Sequence, residues 1–188
     1  MQYHPHWRSV ALMAALAVSL PLAVAAQDAS TDRPADEPPL IEGLGWYTSI
    51  DVAGSEIESA FTDEEVEQWV AMLDVAGASV EDLEYTYQRI IDPATLPQLG
   101  GLATVRIADA TEDEVLAAVL ADVSAQAVTL GAEPTAPEPL TLGGKDVVKV
   151  DLPVELGPDD AFVYVRGDTA WLFIMQESLA ELGLQELP

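Results

Sequence analysis

Phe162-Val163-Tyr164-Val165-Arg166-Gly167-Asp168-Thr169-Ala170-Trp171-Leu172-Phe173-Ile174 is the stretch on which the fold turns. Two runs of β-branched and aromatic residues flank a Gly-Asp pair, the composition of a hairpin with a two-residue loop and glycine at its first central position. A turn at Gly167-Asp168 pairs Arg166 with Thr169, Val165 with Ala170, Tyr164 with Trp171, Val163 with Leu172 and Phe162 with Phe173. Both faces of such a pair are apolar, so each needs a cover, and the hairpin belongs inside a sheet rather than at a solvated edge.

Upstream, the chain alternates strand and helix signals. Residues 43–52 have strand composition, with Trp46, Thr48, Ile50 and Val52 expected on one face. Thr62 and Glu65 form a capping box, and Val66, Trp69, Val70 and Leu73 recur at helical spacing, which predicts a helix over 63–76 closed by Gly77. The tyrosine-rich alternation of 83–90 predicts a second strand, and 102–108 a third, after Pro93, Pro97 and Gly100-Gly101. A second capping box, Thr111 to Glu114, opens a helix with Val115, Leu116, Val119, Leu120 and Val123 on one side. Residues 140–150 are expected to be one strand kinked at Gly143-Gly144, and 177–184 a closing helix with Leu179 and Leu182 inward.

These elements predict an α+β fold, a mostly antiparallel sheet of about six strands with three helices packed on it. Two arrangements suit the order: a ferredoxin-like β-α-β-β-α-β core, or a pseudo-repeat of β-β-α units. Residues 1–26 read as a signal peptide, with Arg8 before a short apolar run and Ala23-Val24-Ala25-Ala26 as its processing end. Residues 27–40 read as a disordered acidic, proline-rich leader, and 41–188 as a single domain. The expected location is secreted or periplasmic, with no stable membrane insertion after cleavage.

The glycine pair of Leu142-Gly143-Gly144-Lys145, the hairpin, and the terminal helix ending Glu186-Leu187-Pro188 together resemble a group of exported bacterial α+β proteins to which no activity is assigned. The resemblance covers residues 140–188. It implies export and an α+β fold, and no activity.

Composition excludes several chemistries. Beyond residue 26 the chain carries 6 basic against 33 acidic residues, a net charge of −27, which repels nucleic acid and favours a basic protein or peptide as partner. His4 and His6 lie in the signal segment and there is no cysteine, so histidine-based triads, thiol nucleophiles and histidine- or thiolate-held metals are unavailable to the mature chain. No cofactor is expected. Carboxylates, Lys145, Lys149, Arg89, Arg106 and Arg166 remain.

Among the carboxylates, Asp159-Asp160 after Gly157-Pro158 is the candidate calcium cluster, though a solvated turn explains it as well. Tyr85, Tyr87, Tyr164 and Trp171 are the candidate binding residues, an aromatic strip for carbohydrate or extended peptide; core packing is the simpler account. Arg166-Gly167-Asp168 spells an adhesion tripeptide, but the turn itself demands its glycine. The function read from these residues is an exported non-catalytic binding or interaction module of unknown partner. The alternatives are a carboxylate-dependent, glycosidase-like hydrolase and an inhibitor or folding-assistant domain that lends a sheet edge.

Overall fold

The computed structural model describes residues 39, 41–42, 44–91, 98–129, 132–152 and 160–187. The expected signal peptide, the leader apart from Pro39, the Pro93 and Pro97 connection, and Asp159 lie outside them. Strands β1 (Gly45–Ala53), β2 (Leu83–Ile91), β3 (Gln98–Ile107), β4 (Glu138–Leu142), β5 (Lys145–Val150), β6 (Asp160–Arg166) and β7 (Thr169–Met175) form one sheet in the order β1-β2-β3-β7-β6-β5-β4, antiparallel at every step. The helices are α1 (Ile57–Ala60), α2 (Asp63–Ala76), α3 (Glu112–Thr129) and α4 (Glu177–Glu186). The fold is α+β with a mostly antiparallel sheet, as expected.

The hairpin takes the expected register, from Phe162 opposite Phe173 to Arg166 opposite Thr169. Gly167 has φ 63 while Asp168 does not enter positive φ, the pattern of a type II′ loop, where glycine avoids the Cβ clash any other residue would meet. Alternation then splits the side chains between two cores. Ala161, Val163, Ala170 and Leu172 join Trp69, Leu73, Val115 and Val119 on the upper face, beneath α2 and α3. Phe162, Trp171, Phe173 and Met175 join Ala180 and Leu184 of α4 on the lower face.

The capping boxes at both long helices form. The Thr62 amide donates to Glu65 Oε2 at 2.8 Å, the Thr111 amide to Glu114 Oε2 at 2.8 Å, and each threonine hydroxyl accepts the amide of its glutamate at 3.4 Å. Gly77 closes α2 with φ 67.

Several expectations are corrected. Residues 140–150 are not one kinked strand. Gly143 and Gly144, with φ 59 and 78, make a two-residue loop between β4 and β5, so the described sheet has seven strands. The short α1 raises the described α-helices to four.

A ferredoxin-like core is overturned, because a split β-α-β unit places β1 and β2 apart and parallel, whereas here they are neighbours and antiparallel. The β-β-α order recurs along the chain, yet α3 and α4 pack on opposite faces, so no rotation about the sheet normal superposes the two units. Finally, the face assignment of β1 breaks at a bulge between Thr48 and Ile50. The extra residue turns Trp46 to the lower cluster while Ile50 and Val52 face the upper one. Val70 and Leu182, expected inward, are 41% and 48% exposed.

Candidate functional site

The four candidate aromatic residues do not make one strip. Tyr85 and Tyr87 point up from β2 and are buried beneath α2, with Tyr85 edge-on to Trp69 at 4.7 Å between ring centroids. Tyr164 and Trp171 point down. Trp171 is buried, and half-buried Tyr164 stacks on it at 5.5 Å, with Lys145 Nζ lying 5.7 Å from the Tyr164 ring centre. Two buried tyrosines on one face and a stacked pair on the other are core packing first.

Asp160 is occupied. Its carboxylate accepts from Lys149 Nζ at 2.9 Å, which also reaches Asp151 at 3.4 Å, and the Asp160 hydrogen bond raises the pKa of Lys149. No group of three potential metal ligands occurs among the described residues.

The tripeptide Arg166-Gly167-Asp168 is held by the chain that carries it. The Gly167 amide donates to Glu112 Oε1 at 2.7 Å, and the Ile107 amide donates to the Asp168 carbonyl at 3.0 Å. The Arg106 guanidinium bridges Asp168 at 3.0 Å and Glu84 at 3.1 Å. Burial alone would raise the Asp168 carboxyl, but hydrogen bonds from Arg106 and Thr169 outweigh it and hold the pKa below the usual value. Arg106, in turn, is raised by Asp168 and Glu84.

Two features escape inspection of motifs. The first is charge segregation. Residues 54–82 and 107–129, which carry α1, α2 and α3, hold fourteen carboxylates and no lysine or arginine. Eleven of these carboxylates are exposed, among them Asp63, Glu64, Glu67 and Asp74 on α2 and Glu112, Asp113 and Glu114 on α3. Val70, Val75 and Val128 lie exposed on the same two helices. Of the five described cations, Arg106, Lys145, Lys149 and Arg166 share the lower face, by strand register, and Arg89 alone points up.

The second is Asp122 on α3. It stands seven residues after Val115 and three after Val119, on the buried stripe, so a lone carboxylate at a stripe position was its readable signal. The residue is half-buried, with its carboxylate set among protein atoms beneath the helix. That burial pushes its pKa up to about 6, against the opposing hydrogen bond from Gln126 Nε2 at 2.7 Å. Tyr85 nearby is raised well above the ordinary phenol range, by burial first and then by Tyr87 and Asp122.

No described helix is long and apolar enough to cross a membrane. Comparison with family models, with curated proteins and with solved structures finds no significant match to this chain.

Proposed function

We propose that this chain is an exported, non-catalytic interaction module whose acidic helical layer engages a basic protein or peptide. The observation that carries the reading is the segregation of charge: fourteen carboxylates without a cation in 54–82 and 107–129. A single-signed surface steers an oppositely charged partner and suppresses wrong ones, and the exposed Val70, Val75 and Val128 add apolar contact within it.

The two alternatives lack corresponding support. Glycoside hydrolysis takes two carboxyl groups flanking one bond, and the cavity beside Asp122 is lined by that carboxylate alone. Lending a sheet edge needs a flat, open outer strand. One outer strand, β1, carries a bulge, and the other, β4, is five residues long and includes Pro139, both devices that protect an edge.

Charge reversal tests the reading. Glu64→Lys, Glu67→Lys and Asp74→Lys together change the helical layer, whereas Glu133→Lys, Glu138→Lys and Glu181→Lys change net charge equally from exposed positions elsewhere. Calorimetric titration with a lysine-rich amphipathic peptide should show about tenfold weaker binding for the first triple variant and less than about threefold for the second. Equal losses would mean that net charge alone attracts the peptide and would overturn the assignment.

A further inference from the structure

Beneath the seam of α2 and α3 lies a cavity of about 10 Å³, close to the space that one water needs. Trp69 and Met72 of α2, Val119 and Asp122 of α3 and Tyr85 of β2 form most of its wall, which aliphatic groups of β3 and β7 complete. Two polar groups on this wall are incompletely paired. Trp69 is 3% exposed, and its indole Nε1 is a buried donor without an acceptor among the described residues. The carboxylate of half-buried Asp122 accepts from Gln126 through one oxygen, while a carboxylate offers about four lone-pair positions.

The wall itself selects among occupants. An apolar guest would leave both the donor and the carboxylate desolvated, which costs free energy at each. A cation would suit Asp122 but would meet the indole N–H, a donor that turns its positive end toward it, and anything beyond one or two heavy atoms exceeds the space. Water alone accepts from one side and donates to the other.

We propose that this cavity is a hydration site for a single long-lived water molecule, which accepts the Trp69 indole proton and donates to the Asp122 carboxylate. The site ties α2 to α3 on the upper face of the sheet, independently of what the acidic layer binds.

Water-selective nuclear Overhauser spectroscopy on the full chain reads it directly. The Trp69 indole proton should show a cross-peak to a slowly exchanging water in the native protein and in Asp122→Asn, which keeps an acceptor. The peak should vanish in Asp122→Leu, whose side chain fills the space, and Trp69→Phe should remove the protein-side signal while leaving the fold's other resonances in place. Persistence of the peak in a folded Asp122→Leu protein would overturn the proposal. So would its absence from the native protein.

Discussion

Trp171 sits between Thr104 of β3 and Tyr164 of β6 in the sheet register, 2% exposed, so its ring is enclosed along the lower face. Truncation to alanine should cost about 3 to 5 kcal/mol in urea unfolding, as an aromatic core cavity does. Asp168 behaves differently. The sequence alone makes its side chain dispensable once Gly167 turns the loop, yet it pairs with Arg106 at 3.0 Å. Both partners are partly exposed, so Asp168→Ala should cost about 1 kcal/mol at neutral pH. Because the Asp168 pKa is lowered on folding, that contribution is present above the ordinary carboxyl value and should fade as acid protonates the folded form.

Asp122 has the opposite sign. Its pKa rises from 3.8 to about 6, so the folded state holds the proton more tightly than the unfolded one. The resulting stabilisation is complete below the unfolded value and is lost as pH climbs through about 6. Between acid and pH 7 this one group subtracts about 3 kcal/mol, and Asp122→Asn should recover part of it and flatten the dependence of stability on pH from 4 to 7. Unfolding midpoints across that range measure it. A native-like slope in the variant would mean that other groups set the pH response.

At the level of elements, the hairpin and the capped helices were legible because their signals are local. A Gly-Asp pair between apolar runs sets a turn, and Thr62 to Glu65 sets a helix start, whatever surrounds them. The β4–β5 hairpin was misread because β4 is an edge strand. Glu138, Pro139 and Thr141 are exposed there, so the segment lacks the apolar run that would mark a strand before Gly143-Gly144.

The bulge in β1 has no sequence signature near Ser49. It follows from what lies across the sheet, where Trp46 must meet the lower cluster and Val52 the upper. The outward Val70 and Leu182 have a similar origin, since helical spacing defines a stripe but the neighbours decide its centre: Met72 takes the inward place on α2, and Ala180 and Leu184 on α4. Both loop glycines have left-handed φ, so Gly144→Ala should cost about 1 to 2 kcal/mol although no atom crowds the new methyl group. A denaturation midpoint unchanged by that substitution would contradict the assigned loop.

Across the described residues, one sheet separates an acidic helical layer from a face that carries four cations, of which Arg106 and Lys149 pair with carboxylates, and a stacked aromatic pair. Net charge and the cation-free runs 54–82 and 107–129 are legible in the sequence, but their gathering on one face is not, because it depends on which face the helices cover and which strand residues point down. Self-repulsion within a chain of net charge −26 should be relieved by salt, as the screening length falls from about 30 Å at 0.01 M to about 3 Å at 1 M. The urea midpoint should therefore rise with sodium chloride. A flat response would mean that the carboxylates are spaced widely enough not to interact.

The interaction reading itself is tested most directly by mapping amide chemical shifts of the full chain during titration with a lysine-rich amphipathic peptide at low salt. The account predicts that perturbed amides cluster on α2 and α3, around Glu67, Val70, Asp74 and Val128, and recover as salt is added. Perturbations centred instead on the lower face, around Tyr164, Lys145 and Arg166, or scattered over the surface, would contradict it.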